Sequence, residues 1–320
     1  MSARGDSSRL SAGGSAARAP VDPEVPHSGP ALRSVSTADP GTEQPQRPDL
    51  LVSGRERLTR IEKAQIAFIR RSFEPGRLDR TLRWGQRHIG SAWIHHFTRQ
   101  LRHVHGIERL PELRPDRSFI LVSNHRSFFD LYVVTAELVR RGLPHRILFP
   151  VRANFFYDTP LGFFVNGVMS FFAMYPPIFR DRSKFVLNVD SVGELVWLLR
   201  RGGGFAGLHP EGMRNLSDDP YRFLPAQPGT GKVIHEAQVT VLPVFINGLI
   251  NRLGRQVASN FDGTGKPIVI VFGPPVDFGN LLQRRASPRV HRAIAERTLQ
   301  AISELGREER AIRARDFPGT

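Results

Sequence analysis

The chain has no cysteine among its 320 residues. Disulfides, thiolate nucleophiles and zinc–cysteine sites are therefore excluded, and a reducing compartment suits the chain. Long apolar runs are missing too. No window offers the ~20 uninterrupted apolar residues that a membrane-crossing helix needs. The nearest, Pro160–Pro176, is interrupted by Gly162, Asn166, Gly167 and Ser170 and reads as a buried or interfacial helix. No apolar stretch follows a charged N-terminus, so no signal peptide is visible. Any membrane contact is then peripheral or monotopic.

Acidic residues are in short supply. The net charge is +15, and residues 1–50 hold five of the 45 basic and six of the 30 acidic residues, leaving 40 and 24 beyond. A basic folded body implies anionic partners such as nucleic acid, anionic lipid or phosphorylated small molecules. Solubility and an arginine-favouring genome would give the same excess. No zinc finger, RNA-recognition signature or aromatic-basic interleaving is present, so nucleic acid is not an expected partner.

Residues 1–54 are rich in Ser, Ala, Gly and Pro and poor in large apolar residues. They cannot bury enough surface to offset ordering entropy and read as a disordered tail. Residues 55–110 read as a basic amphipathic helical pair. Leu58, Ile61, Ala64 and Phe68 recur at helical spacing, Pro75-Gly76 breaks the run, and Leu78, Leu82, Ile89, Trp93, Phe97 and Leu101 form a second stripe. Arginines crowd the polar sides. Such a pair fits an interfacial anchor on an anionic membrane surface, and it equally fits helices packed on the domain with solvated arginines.

From residue 111 to 320, strands and helices alternate. Ser118–Ser123, Arg146–Val151, Gly204–Leu208, Val239–Ile246 and Pro267–Phe272 read as buried strands. Helices fall near Phe128–Arg141, Ser183–Arg200 and Gly229–Ala237, and a charged amphipathic helix runs from Ser287 to about Arg313. The pattern predicts an α/β fold, a mixed sheet flanked by helices.

Four clusters carry chemistry. Asn124-His125-Arg126-Ser127-Phe128-Phe129-Asp130 follows the first strand directly, where α/β domains place sites. His and Asp five apart can meet if His125 lies in the loop and Asp130 opens the helix. Asp130 would then fix the imidazole tautomer and leave the other nitrogen free as a base. A loop histidine and a helix-start aspartate without chemistry give the same pattern. His209-Pro210-Glu211-Gly212-Met213-Arg214-Asn215 also follows a strand. Gly212 permits a tight turn, from which Glu211 and Arg214 would project. Arg214 offers a planar fork for phosphate; an exposed ion pair on an ordinary turn is the plainer alternative. Ile178-Phe179-Arg180-Asp181-Arg182-Ser183-Lys184 opens a helix, and its basic residues suit an anion or merely a solvated face. Val239–Val244 is a strand containing Pro243, which predicts an edge or a local distortion.

Together and in this order, the clusters resemble the motifs of the glycerolipid acyltransferase family, typified by the lysophosphatidate acyltransferases. Asn124, His125 and Asp130 match the Asn-His-x4-Asp motif. Ile178, Phe179, Asp181 and Arg182 match the second motif, with Arg180 where an apolar residue is usual. Pro210, Glu211, Gly212 and Arg214 match the third, and Leu242-Pro243-Val244 the fourth. The resemblance covers about Pro111–Asn280. It departs at His209, Met213 and Asn215, where Phe, Thr and Ser are usual.

The resemblance implies an acyltransferase of phospholipid biosynthesis at the cytoplasmic side of a membrane. His125 would be the general base and Asp130 its polarising partner. Glu211, Gly212, Arg214, Arg182 and Arg180 would hold the acceptor. The partners would be an acyl thioester donor, acyl-CoA or acyl carrier protein, and a lysophospholipid acceptor, lysophosphatidate first among them. No cofactor and no metal are implied. Glycerol phosphate, dihydroxyacetone phosphate or another lyso-lipid remain open as acceptors, and so does a non-catalytic membrane-binding protein. Apolar residues between Phe155 and Phe172 would line the acyl path, or simply pack in the core.

Overall fold

The computed structural model describes residues 47–319. The tail predicted to be disordered lies outside the described residues up to position 46, but its last part does not. Asp49 caps α1 (Leu50–Ser53) by accepting the Leu51 and Val52 N–H groups, and Leu50 is fully buried. Arg47 pairs with Glu74 and with the buried Glu194. The folded chain therefore starts before the composition shift at Arg55. One buried leucine and a few ion pairs fix this short segment.

In α2 (Arg60–Ser72), Thr59 and Glu62 form a reciprocal capping box. Its buried face is Glu62, Gln65, Ile66, Ile69 and Ser72 rather than the predicted stripe, and Ile61 is 41% exposed. The shift has a polar cause. Glu62 takes Lys184 Nζ at 2.7 and 2.8 Å, and Gln65 donates to the Tyr157 and Thr159 carbonyls. These residues are drawn inward because partners wait there. Then α3 (Arg77–Gly85) continues through a π-helical turn, Gln86–Gly90, into α4 (Ser91–His96). The extra residue in that turn shifts the apolar stripe from there on, so Leu82 and Ile94 are buried while Ile89 is exposed.

The boundary predicted at residue 110 falls inside the sheet. β1 (Arg102–His105) pairs in parallel with β8 (Ile268–Phe272), so the helical segment and the α/β domain share one structure. Short and two-sided polar, RHVH gives no strand signal by itself. The remaining strands are β2 (Phe119–Ser123), β3 (Arg146–Leu148), β4 (Val151–Arg152), β5 (Pro177–Ile178), β6 (Gly204–Leu208) and β7 (Thr240–Asn247). Six of them form one mixed sheet in the order β1-β8-β7-β2-β6-β3, and β4 pairs with β5 beside it. All ladders of the large sheet are parallel except β7–β8. Both faces are covered, which is why β2 and β8 are buried at every position.

Helices follow from the strands. α5 (Asp130–Arg140) comes after β2; α6 (Ala153–Phe156) and α7 (Pro160–Ser170) lie between β4 and β5; α8 (Asn188–Arg200) leads to β6, α9 (Pro228–Ala237) to β7 and α10 (Leu253–Asp262) to β8, and α11 (Pro288–Asp316) closes the chain. Two glycines of β6 separate the faces. A Cβ on Gly204 would meet Leu199 of α8, and one on Gly207 would meet Leu131 of α5 and Phe149. Positions three apart on a strand face opposite ways, so α8 and α5 cover opposite faces. α9 packs between α8 and α11, and α11 lies along β7 and β8.

Pro243 is not on an edge, since β7 runs between β8 and β2. The Pro243 carbonyl accepts the Gly273 N–H at 3.0 Å, on the β8 side, and the β7–β8 ladder begins only at Val244. The missing proline N–H faces that same side, beyond the ladder's end. No bond to β2 is lost.

Candidate active site

The sheet register builds the site. β2 and β6 are parallel neighbours with Val122 opposite Leu208, so the residues that follow each strand emerge side by side at the carboxyl edge. One strand delivers Asn124 and His125, the other His209 and Glu211. Asn124 continues the ladder with its side chain: Nδ2 donates to the Ile246 carbonyl at 2.8 Å and Oδ1 accepts the Ile246 N–H at 2.9 Å. That bridge to β7 fixes where the chain leaves β2.

His125 is clamped through its backbone. Its N–H donates to Glu211 Oε1 at 2.9 Å, and its carbonyl accepts the Asn215 N–H at 2.7 Å. Its Nδ1 lies 3.3 Å from Asp130 Oδ2. The same carboxylate oxygen accepts the Arg126 and Ser127 N–H groups, both at 2.7 Å, so Asp130 ties the loop to the helix it opens. The His125 side chain keeps 20% of its surface exposed, against 1% for Asp130. With Nδ1 turned to the carboxylate, Nε2 is the nitrogen left for a reacting group. Burial first, and then the Arg214 charge, push the His125 imidazole down to about 4. Burial pushes Asp130 up to about 7 against the opposing pull of His209 and the loop N–H groups. Both causes keep His125 neutral, the form a base requires.

Glu211 does not project from its turn. The side chain is buried: Oε1 accepts the His125 N–H and Oε2 the Leu224 N–H at 2.8 Å. Burial raises its carboxyl above the usual range despite those bonds. Glu211 thus braces the two loops through one backbone N–H on each oxygen, and its burial turns it away from the projecting position predicted for it. Gly212 takes a left-handed backbone, φ +66°, where a Cβ would meet Gln227 at 2.8 Å, and its N–H donates to the His209 carbonyl. It shapes the turn.

Arg214 is exposed and donates to Asn251 Oδ1 at 3.0 Å; Arg180 donates to the Gly212 carbonyl at 3.3 Å. A third arginine joins them. Arg152 is lowered by burial and by the charges of Arg180 and Arg214, and both Arg152 and Arg214 act on His125. Among the described residues none of the three has a carboxylate partner. Arg152 and Arg214 act on the histidine and Arg180 on Arg152, an unneutralised positive charge of the kind that suits an anion. Arg182 is exposed at the start of the 3-10 turn Arg182–Leu187, two residues beyond Arg180. Sequence reasoning passed over Arg152, which ends the two-residue β4; a strand that short leaves no signal in the sequence.

His209 stacks on His125 with ring centroids 3.7 Å apart and planes within 8°, and its Nδ1 lies 3.1 Å from the Ser123 carbonyl. Ligand atoms of His125, Asp130 and His209 lie within 4.8 Å of one another. A metal ion binds imidazole in the ring plane, and two stacked rings have no shared plane, so this trio does not suit a single ion.

A neutral histidine held by a buried carboxylate, open at one nitrogen and flanked by unpaired arginines, has the parts for general-base transfer of a group to or from an anionic molecule. Residues 101–247, from β1 to the end of β7, match the family model described as Acyltransferase, and the enzyme is an acyltransferase. A crystal structure of the 1-acyl-sn-glycerophosphate (LPA) acyltransferase PlsC from Thermotoga maritima is similar at a TM-score of 0.46 and 21% identity, over 76% of this chain and 88% of that one. No curated protein matches the sequence.

Proposed function

We propose that the enzyme moves a fatty acyl group from acyl-CoA or acyl carrier protein to the free hydroxyl of lysophosphatidate, forming phosphatidate. The observation that carries this reading is the pair Arg152 and Arg214, whose charges act on His125, with Arg180 acting on Arg152 and no carboxylate partner for any of the three among the described residues. A phosphate monoester fits three guanidiniums better than a neutral headgroup does. His125 Nε2 takes the proton of the acceptor hydroxyl as its oxygen attacks the thioester carbonyl. The carbon–sulfur bond then breaks, and the imidazolium returns the proton to the leaving thiolate. Asp130 holds the tautomer throughout. General-base catalysis of this kind contributes about 10²–10⁴-fold.

The acceptor would be drawn from an anionic membrane surface on the cytoplasmic side. Among the described residues no helix is long and apolar enough to cross a membrane. Support for surface contact comes from exposed apolar residues on α7, namely Leu161, Phe164 and Val168, and from Trp84 and Ile89. Phe68 of α2 packs edge-on against Phe163 of α7 and Phe172 just beyond it, which joins α2 to α7. Of the residues predicted to line the acyl path, Phe156 and Tyr157 are core. Ser170 and Phe171 line a cavity of about 30 Å³ between α4, α5 and β3, room for a water and not for a fatty chain.

Purified enzyme offered labelled palmitoyl-CoA with lysophosphatidate, glycerol phosphate, dihydroxyacetone phosphate or lysophosphatidylcholine tests the reading by lipid product. Preference for lysophosphatidate is expected. Equal use of the choline lipid would rule out a phosphomonoester-selective site.

A further inference from the structure

The ring of His209 has no part in the proton transfer just described, yet it covers one face of the base. We propose that His209 is a positioning residue, a flat wall that keeps His125 oriented with Nδ1 on Asp130 and Nε2 open to the acceptor. The inference rests on the reading of His125 as the base.

Three observations carry it. The first is the weakness of the polar tether. Nδ1 of His125 lies 3.3 Å from Asp130 Oδ2, and that oxygen already accepts two backbone N–H groups at 2.7 Å. A bond that long does not by itself hold an imidazole whose second torsion has a broad minimum. The second is the stack, 3.7 Å and 8°, which stops the ring from turning out of its plane. The third is that the wall is itself anchored. His209 Nδ1 faces the Ser123 carbonyl, which can only accept, so Nδ1 carries the hydrogen and the neutral ring is a single tautomer. Its backbone carbonyl is held by the Gly212 N–H.

Charge is consistent with this role. The groups that face His209 are His125 and the Ser123 and Asn124 carbonyls at the end of β2, and Asp130 at the start of α5. Glu211, next but one on its own loop, is turned to the His125 and Leu224 N–H groups. Burial and the His125 neighbour both keep His209 neutral. When His125 takes a proton, its cation is therefore faced by a neutral π surface and not by a second charge. Phenylalanine would supply the same surface, alanine none.

The test compares His209→Ala, His209→Phe and His125→Ala. With palmitoyl-CoA and lysophosphatidate as substrates, His209→Ala is expected to lower kcat about 10- to 100-fold with KM changed less than about twofold, the size of loss that a misplaced reacting group produces. His209→Phe should recover kcat to within about threefold of wild type. A substrate-free readout runs alongside. In spectra of protein carrying ¹⁵N-histidine, the Nδ1–H signal missing from His125→Ala marks the His125 tautomer; it should persist in His209→Phe and vanish or average in His209→Ala. Unchanged kcat and an unchanged His125 signal in His209→Ala overturn the proposal. So does a His209→Phe protein as impaired as His209→Ala, which would make the Ser123 hydrogen bond, and not the ring, the working feature. Full turnover in His125→Ala would instead remove the base reading on which the proposal stands. If these substrates are not turned over by wild type, the His125 signal alone decides.

Discussion

The carboxylate of Glu211 accepts the backbone N–H of His125 at 2.9 Å, so a residue of one loop braces the histidine of another. Its second oxygen takes the Leu224 N–H at 2.8 Å, and the side chain is buried. Glu211→Gln puts an amide NH₂ where one of those N–H donors points. One buried donor is left unsatisfied, a loss of about 1–3 kcal/mol. Urea denaturation should show that loss, and kcat should fall while the acceptor KM changes little. Unchanged stability with a raised acceptor KM would return Glu211 to a substrate-binding role.

Asp130 serves three donors through one oxygen, and its other oxygen, Oδ1, is buried without a hydrogen-bond partner. In Asp130→Asn the carbonyl oxygen can still accept from the loop, but the negative charge that steadies the developing imidazolium is gone. Turnover should drop about 10²-fold or more while the fold holds, and His125→Ala should lose about 10²–10⁴-fold. Circular dichroism and single-turnover kinetics check both. A His125→Ala enzyme working near the wild-type rate would exclude base catalysis by this residue.

The strands were legible wherever both faces are buried, because FILVS and IVIVF are continuous apolar runs. β1 and β4 were not, since their stability comes from neighbours far along the chain and not from local pattern. The same limit applied to the site. His125 and Asp130 were visible as a loop–helix pair because their meeting depends on five residues. The stack of His209 on His125 depends on the register between β2 and β6, and the inward turn of Glu211 on two N–H groups that only the folded loops bring together. Amphipathic stripes in α2 to α4 misled because a π-helical turn and buried polar partners rotate them.

Arg214 and Arg152 should act on the acceptor and not on the thioester. Removing either, as Arg214→Ala or Arg152→Ala, deletes charge-assisted hydrogen bonds of roughly 1.5–3 kcal/mol each. The apparent affinity for a phosphate-bearing acceptor is expected to fall about 10- to 150-fold. Arg182→Ala tests whether the exposed Arg182, two residues beyond Arg180, shares in holding the acceptor. Steady-state kinetics with each substrate varied separately decides. Parallel loss of thioester affinity in the Arg214 variant would mean that this arginine holds the loop.

Stability should fall with acid in a way that His209 partly sets. His125 and His209 are pushed by burial to about 4 and about 3, below the ordinary 6.5, and Asp130 is pushed by burial up to about 7 from 3.8. Between about pH 4 and 6.5 the unfolded chain protonates both histidines and the native state neither, so acidification disfavours the fold. Asp130 opposes this, since the native state takes up its proton between pH 7 and 3.8 and the unfolded chain does not. The trio together leaves the unfolded state roughly one proton ahead, a contribution of about 1.4 kcal/mol per pH unit. His209→Phe should remove that slope. Urea midpoints from pH 4.5 to 6.5 measure it, and identical slopes for the two proteins would contradict the assignment.

The helices before the sheet do two jobs that truncation and point substitution can separate. A chain starting at Arg109 loses β1, the edge strand on β8, together with the buried Ile66, Ile69 and Ile94. It also loses Arg102, whose buried guanidinium pairs with Glu137 of α5 at 3.1 Å, leaving that glutamate with Arg141 alone. Such a chain should not fold, so its failure to bind vesicles would say nothing about membranes. Outward substitutions are cleaner. Leu161, Phe164 and Val168 are 65, 64 and 51% exposed on one side of α7, and Trp84 is 58% exposed. Phe164→Asp and Trp84→Asp remove no core contact and should leave the urea midpoint within about 0.5 kcal/mol of wild type. Each places a negative charge where an apolar residue would enter an anionic surface, so co-sedimentation with vesicles rich in anionic lipid should fall severalfold. High salt should weaken wild-type binding through its exposed arginines, each worth about 1 kcal/mol near such a surface. Wild-type protein that stays in the supernatant at every anionic content would place the acceptor in solution and leave these side chains as ordinary surface.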